Sequence, residues 1–262
     1  MSDAVLFEVR DTVGVITLNR PDNRNSMTSE LLDGFATAAR RAASDESLRV
    51  VVVTGTGKCF SAGADFKSQI QRNDVGAAQT PAEKSYAMYE PFLTLLDVKV
   101  PVIGALNGHA IGGGFGLSLI CDIRVVATEA KYGANFARLG LAPGMAITYV
   151  LPRIVGLSRA AEMLFAGDLF EGKDAVSLGY ASSAVPGSDV LTRAMELATK
   201  IGKNAPLAVR YAKQALYEGQ PWDPRTHARK EGVLQAATVA TDDAREGIAA
   251  LLEKRDPVFR GR

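Results

Sequence analysis

Residues 100–127 hold two apolar strands close together in the sequence, with a glycine triplet and a short helix between them. The first predicted strand, Val100–Leu106, is broken by Asn107-Gly108, and the second, Ile123–Ala127, is equally apolar. Gly112-Gly113-Gly114 leads into a short apolar helix at residues 115–120. Strand and helix alternate here within a few residues, which favours an α/β fold.

The glycine triplet also places bare backbone at the start of the predicted helix. Without a Cβ, the N–H groups of Gly112-Gly113-Gly114 are unshielded, and the helix dipole adds positive potential at that point. This arrangement suits a developing oxyanion. A tight strand-to-helix turn that needs glycine for packing alone explains the same residues, so both interpretations stay open.

The rest of the first part of the chain continues the alternation of strands and helices. Asp11-Thr12 separates two β-rich runs that form a predicted hairpin, and Thr28 is the predicted cap of the first helix. Residues 68–82 are small and polar and are interpreted as a flap. The other predicted strands and helices are Val5–Arg10, Val13–Asn19, Val50–Thr54, Ala181–Val185, a helix to about Ala43, Glu83–Asp97, and helices from about Ala146 and Ser158.

After Pro186-Gly187 the pattern becomes entirely helical. The predicted helices are Val190–Ile201, Pro206–Glu218, Pro224–Ala240 and Thr241–Lys254. We therefore expect an α/β core over residues 1–187 and a helical region over 188–262. Such a helical region packs across a subunit boundary or folds onto its own core, and the sequence leaves both open.

Composition and charge exclude several classes of function. Thirty Lys and Arg against 29 Asp and Glu give a net charge of +1, without the basic excess of a nucleic-acid-binding protein. No apolar run reaches the roughly 18 residues of a membrane span, and the N-terminus does not resemble a signal peptide, so we expect a cytoplasmic protein. Cys59 and Cys121 lie in apolar contexts and are predicted to be reduced and buried. Neither phosphate-binding glycine motifs nor metal-ligand spacings occur, so no cofactor is expected.

Four stretches carry a resemblance to a known family. They are Asn19-Arg20-Pro21 with Asn25-Ser26-Met27, then Phe60-Ser61-Ala62-Gly63-Ala64-Asp65, then residues 101–108 with Gly112-Gly113-Gly114 and Cys121-Asp122, and finally Glu253-Lys254-Arg255. In this order and spacing they resemble the crotonase superfamily, the enoyl-CoA hydratase/isomerase family, from Val5 to about Phe259. The resemblance implies a spiral of repeated ββα units with a C-terminal helical region that forms trimers or hexamers.

The resemblance also implies a binding site for an acyl-CoA thioester, with CoA present only as part of the substrate. The thioester oxygen is expected between the backbone N–H groups of Ala64 and Gly113. This agrees with the oxyanion interpretation of the glycine triplet. The residues expected to bind the CoA part are Arg24, Ala62, Asp65, Phe66, Lys67 and Phe259.

The sequence departs from the family where hydratases carry two catalytic glutamates. Those positions are occupied by Gly116 and Phe136, and neither side chain transfers protons. General acid–base groups typically contribute about 10²–10⁴ each, so ordinary hydration is expected to be crippled. Candidate substitutes are His109, Asn135 and Arg138. For His109 the alternative is a turn histidine held by backbone, and for Arg138 it is an ion pair with a neighbouring carboxylate.

Three hypotheses for the function follow. The first is an enzyme that uses the oxyanion hole for isomerisation, decarboxylation, hydrolysis or C–C cleavage. The second is an ordinary enoyl-CoA hydratase with substitute acid–base groups. The third is a non-catalytic acyl-CoA binder that keeps the pocket without the chemistry.

Overall fold

The computed structural model describes residues 4–65, 80–218, 221 and 223–261. Its strands are β1 (Val5–Arg10), β2 (Val13–Leu18), β3 (Val50–Gly55), β4 (Cys59–Ser61), β5 (Val102–Leu106), β6 (His109–Ile111), β7 (Ile123–Ala127), β8 (Lys131–Gly133), β9 (Phe170–Glu171) and β10 (Ser183–Val185). Its α-helices are α1 (Ser29–Ser44), α2 (Pro81–Leu93), α3 (Gly113–Leu119), α4 (Ile147–Val155), α5 (Leu157–Ala166), α6 (Val190–Gly202), α7 (Pro206–Glu218), α8 (Pro224–Val239) and α9 (Asp242–Glu253).

The strands form two sheets that the chain visits alternately. The larger sheet has the order β1-β2-β3-β5-β7-β10, and the smaller one has the order β4-β6-β8-β9. β1 and β2 form the predicted antiparallel hairpin, and β2, β3, β5, β7 and β10 pair in parallel. In each of the pairs β3–β4, β5–β6 and β7–β8, the first strand joins the larger sheet and the second joins the smaller one. With α3 and α4 following two of these pairs, this is the predicted spiral of ββα units.

The apolar runs that predicted the strands are the core of the molecule. β3 and β5 are buried along almost their whole length, as expected of parallel strands covered by helices. α1 contacts β1 and β2 with Leu31, Phe35 and Ala39 buried, and Phe35 meets Phe92 edge-on at 4.9 Å. α6 contacts β3 and β5 through its own buried face.

The C-terminal helices contact the core in different ways. α8 packs along α2, and α9 packs on the turn at residues 137–139. By contrast α7 has no buried residue and is held by polar contacts. Asp122 accepts a hydrogen bond from Tyr217 at 2.5 Å and forms an ion pair with Lys213 at 2.8 Å, and Arg210 donates to the carbonyls of Glu46 and Leu48. The helical region therefore folds partly onto its own core, which was one of the two alternatives.

The four-stranded sheet was not predicted from the sequence. β4, β6 and β8 each have three residues and β9 has two, too few to show a period of two. The glycines around β4 and β8 are typical of turns, so the sequence predicts turns in those two regions. The predicted helix Glu83–Asp97 instead begins at Pro81, behind a capping box at Thr80, and ends at Leu93 before a 3₁₀ turn. Most of the predicted flap, residues 68–79, lies outside the described residues.

Three expectations about chemistry concern the described residues as a whole. No helix in that part of the chain is both long and apolar enough to span a bilayer. Within the same residues no three His, Cys, Asp or Glu side chains form a group that could hold a metal ion. Cys59 and Cys121 are free and buried, as predicted.

Candidate active site

The first two motifs of the sequence hold each other in place. Met27 donates its backbone N–H to the Gly63 carbonyl at 2.8 Å, and Ala62 donates its N–H to the Arg24 carbonyl at 3.0 Å. Ser61 closes the connection, donating its hydroxyl to the Asn25 carbonyl at 2.8 Å. The turn that carries Ala64 is therefore fixed against residues 24–27.

The second and third motifs meet at Gly63. This glycine has a φ of 79°, and a Cβ on it would lie 2.6 Å from the Ile111 carbonyl oxygen and 3.1 Å from the Gly113 nitrogen. Only glycine fits this left-handed, tightly packed position. The close approach brings the Ala64 turn next to the start of α3, where Gly113 lies.

The backbone N–H groups of Ala64 and Gly113 are both unengaged within the described part of the chain. Ala64 forms a parallel bridge with Met27, but in that bridge the Met27 N–H donates to the Gly63 carbonyl, and the Ala64 N–H is not used. Gly113 is the first residue of α3, where an N–H has no partner inside its own helix. Two neighbouring N–H groups without acceptors are suited to binding a negatively charged oxygen.

Apolar side chains surround these two N–H groups. A Cβ on Gly113 would lie 2.3 Å from the Met27 sulfur and 3.4 Å from Cε1 of Tyr89, so both side chains border Gly113. Phe136 and Asn135 border Gly112, each 3.8 Å from a Cβ built there. These side chains form a largely apolar wall beside the two N–H groups.

Gly116 and Phe136 are both buried in this wall. A Cβ on Gly116 would lie 2.3 Å from Cγ and 2.6 Å from Cβ of Met145, so the Met145 side chain fills the space that a side chain at residue 116 would need. Phe136 is 6 % exposed. The two positions expected for glutamates therefore hold apolar packing.

The three substitute acid–base candidates lie in different environments. His109 is exposed on β6, and its Nδ1 accepts the Lys131 backbone N–H at 2.9 Å, which is the backbone-held alternative. Arg138 is exposed and pairs with Asp168 at 3.0 Å, which is the ion-pair alternative. Asn135 alone borders the glycine triplet.

The residues expected to bind CoA are only partly grouped. Arg24 is exposed, and its carbonyl accepts from Ala62, so these two residues are adjacent. Asp65 is half-buried at the end of the same turn, and Phe66 and Lys67 lie outside the described residues. Phe259 is 42 % exposed near the C-terminus, where Asp243 accepts the backbone N–H groups of the next two residues.

The sequence interpretation missed the contribution of α8 to this region. Gln235 of α8 donates its amide to the Tyr89 hydroxyl and to the Ala142 carbonyl, each at 3.0 Å. Glu231, one turn earlier, accepts the Thr148 backbone N–H at 2.7 Å. These polar side chains occur in a charge-rich helical run, where nothing in the sequence distinguishes them from solvent-facing residues.

The fold is that of an acyl-CoA enzyme of the crotonase type, and comparison with known proteins places the chain in that class. The model of the enoyl-CoA hydratase/isomerase family matches residues 8–262. The chain is 35 % identical to the 2,3-dehydroadipyl-CoA hydratase of Escherichia coli, covering 100 % of both chains. It is 33 % identical to the (E)-benzylidenesuccinyl-CoA hydratase of Thauera aromatica, covering 98 % of this chain and 99 % of the relative.

Solved structures agree. The crystal structure of an enoyl-CoA hydratase/isomerase from Pseudoalteromonas atlantica superimposes with a TM-score of 0.87 at 27 % identity, covering 98 % of this chain and 100 % of that one. The chain belongs to the enoyl-CoA hydratase/isomerase family of the crotonase superfamily. Its fold is the crotonase fold that the resemblance predicted.

Proposed function

We propose that the enzyme stabilises a thioester enolate or oxyanion with the N–H groups of Ala64 and Gly113, and catalyses a reaction other than simple enoyl-CoA hydration. The observation that carries this proposal is the pair of unengaged N–H groups beside a wall that has Gly116 and Phe136 in place of carboxylates. The site has the two N–H groups that would bind an oxyanion, but it lacks the two glutamates that transfer protons in hydratases. Isomerisation, decarboxylation, hydrolysis and C–C cleavage all proceed through such an anion.

The apolar wall also bears on the acyl group. Met27, Phe136 and Met145 offer no charged partner, so an apolar acyl portion next to the thioester is favoured. Methionine side chains adapt their shape readily, which fits acyl groups of more than one shape. The exposed Arg24, beside the Ala62 turn, is the proposed cationic neighbour of the CoA phosphates.

An ordinary hydratase is the second candidate, favoured by the names of the two curated relatives, both hydratases. Asn135 is then the substitute that lies closest to the glycine triplet. Cytoplasmic location and the need for no cofactor beyond CoA remain predictions.

A panel of acyl-CoA thioesters incubated in D₂O and followed by mass spectrometry tests these candidates. Hydration adds one water, decarboxylation removes CO₂, hydrolysis releases CoA, C–C cleavage splits the acyl group, and isomerisation exchanges deuterium at carbon. A protein that binds the thioesters but changes none of them is the non-catalytic binder, which contradicts the proposed reaction. Rapid hydration of a simple enoyl-CoA supports the second candidate instead.

We also propose that the enzyme assembles as a trimer or as a hexamer made of two trimers. Apolar side chains on the C-terminal helices are exposed in the single chain, and they are Leu207, Tyr211, Leu216, Val233, Leu234, Leu251 and Leu252. A protein that stays monomeric rarely exposes so many large apolar side chains, so we expect a neighbouring subunit to cover them. Light scattering at micromolar concentration should give a mass three or six times 27.8 kDa. A monomer mass contradicts the proposal.

A further inference from the structure

Glu231 on α8 is a buried carboxyl with one oxygen unused. The residue is 2 % exposed, and its Oε1 accepts both the backbone N–H and the hydroxyl of Thr148. Its Oε2 is buried without a hydrogen-bond partner within the described residues. Leaving a buried carboxyl oxygen unpaired is costly, so a folded protein needs a reason to keep it.

The face of α8 that carries Glu231 also holds a wall of the active site. Gln235 and Thr238, one and two turns later, bind Ala142 through its carbonyl and its N–H respectively. The segment that follows, residues 142–148, includes Met145, which packs on Gly116. Glu231 therefore lies directly behind the wall that faces the thioester site.

Tyr89 connects this carboxyl to the oxyanion position. Its ring borders Gly113 and Gly144, with a Cβ on Gly144 lying 3.0 Å from the Tyr89 hydroxyl. The hydroxyl accepts from Gln235, and within the described residues nothing accepts the proton of this hydroxyl. Burial, with a smaller contribution from the nearby Glu231 carboxyl, raises the pKa of Tyr89 to about 12, although the hydrogen bond from Gln235 lowers it.

We propose that Tyr89 and Glu231 together supply the proton that the glutamates absent at Gly116 and Phe136 supply in hydratases. This inference rests on the proposed function. Tyr89 is the catalytic residue because its ring borders the thioester position, and Glu231 acts through it.

The proton transfer balances as follows. The O–H bond of Tyr89 breaks as its proton forms a C–H bond with the enolate α-carbon, and the electron pair stays on the phenolate oxygen. The carboxyl proton of Glu231 then passes through a bridging water to that phenolate. Glu231 is left as a carboxylate, stabilised by the Thr148 N–H and hydroxyl. Solvent restores its proton before the next turnover.

The titration of Glu231 suits this role. Burial raises its pKa to about 7, against the lowering effect of the Thr148 hydrogen bonds and of the neighbouring backbone N–H groups of Ala146 and Ile147. At neutral pH a carboxyl of this pKa readily protonates a tyrosinate. Tyr89 is the titratable group on α2 that faces it. Of the other charged or titratable groups on neighbouring helices, Glu83 accepts from Thr80, Arg229 lies over Tyr86, His227 stacks on Tyr149 beneath Arg153, and Arg245 pairs with Asp242.

The test compares the wild type with Glu231→Gln, Tyr89→Phe and the double variant, on the acyl-CoA that the panel identifies. Below pH 7 Glu231 is protonated, so the wild-type kcat should fall as pH rises through 7. Glu231→Gln keeps an oxygen for Thr148, yet it should lower kcat by roughly 10² and abolish the fall of kcat with rising pH. The double variant should be no slower than Tyr89→Phe, because residues acting as a unit are non-additive.

Thr148→Val is the matched control, since it loosens the same contact but keeps the carboxyl. It removes a hydrogen bond that lowers the pKa of Glu231, so the fall of kcat with rising pH should persist and occur at a higher pH. If Glu231→Gln has the wild-type pH profile while turnover continues, this inference is wrong and the proposed function stands.

A second measurement does not depend on turnover. Because folding raises the pKa of Glu231 above the ordinary glutamate value of 4.5, the wild type should lose stability relative to Glu231→Gln as pH rises from 4.5 to 7. Adding acetyl-CoA should shift the Glu231 carboxyl titration in infrared difference spectra of the two proteins. Acetyl-CoA that binds without shifting it overturns the inference alone, and failure of the whole panel to bind overturns the proposed function as well.

Discussion

Removing the Gly113 N–H should lower turnover by about 10²–10³, the typical loss for one oxyanion donor. Proline is the substitution that deletes this N–H, and the first position of a helix accepts its fixed φ. However, any Cβ at residue 113 would lie 2.3 Å from the Met27 sulfur, so the single variant would also disturb packing. The informative protein is therefore Gly113→Pro with Met27→Ala.

The matched control is Gly113→Ala with Met27→Ala. It has the same added Cβ and the same shortened side chain, but it keeps the N–H. The ratio of kcat between the two double variants isolates the donor, and circular dichroism checks that both are folded. Equal turnover in the two proteins would remove Gly113 from the mechanism.

Wild-type protein should hydrate crotonyl-CoA barely above background, and hydration should rise when both glutamates are installed. The structure shows that Gly116→Glu needs a third change, because Cβ of Met145 lies 2.6 Å from the position of the new Cβ. Met145→Gly removes that clash, and it suits the φ of 65° at this position. The protein to make is Gly116→Glu, Phe136→Glu, Met145→Gly.

We expect this triple variant to gain at least about 10² in hydration over the wild type, since each acid–base group typically contributes 10²–10⁴. Two nearby carboxylates raise the pKa of one of them, which provides an acid and a base near neutral pH. Replacing Phe136 also opens a cavity and buries charge, so the variant should be less stable.

The control carries Gln at both positions together with Met145→Gly, and it should gain nothing. Each single glutamate added to Met145→Gly should gain little, because residues that act as a unit are not additive. Fast hydration of crotonyl-CoA by the wild type would contradict the premise and indicate a substitute such as Asn135.

The long buried elements were predictable because their runs of apolar residues are evident in the sequence. The strand Ile123–Ala127 was predicted with the bounds that the structure shows. The helix Pro206–Glu218 was also predicted with its bounds, but it has no buried residue, and the proline at its first position is typical of a helix start. The second sheet escaped because its strands depend on neighbours distant in the chain, as when β6 pairs with both β4 and β8. A three-residue strand carries almost no local signal of its own.

Some residues of the candidate site were likewise predictable from the sequence, and others were not. Gly113 was identifiable because a glycine triplet before an apolar helix stands out in the sequence and matches the family resemblance, although the side chains that pack against it belong to distant residues. Tyr89 was interpreted as part of an apolar helix face, which its buried ring satisfies, while its hydroxyl contacts a residue 146 positions away. Glu231 resembled a surface charge because only the packing of α8 on α2 and α4 buries it.

The docking of α8 has a consequence for biosynthesis. The side chains of Glu231, Gln235 and Thr238 form hydrogen bonds with Ala142 and Thr148, which flank the segment that packs on Gly116. A nascent chain that has already built both sheets still lacks those partners until α8 has left the ribosome. This segment should therefore become ordered only after α8 has emerged, and a chain cut short before α8 should be a target for chaperones and proteases.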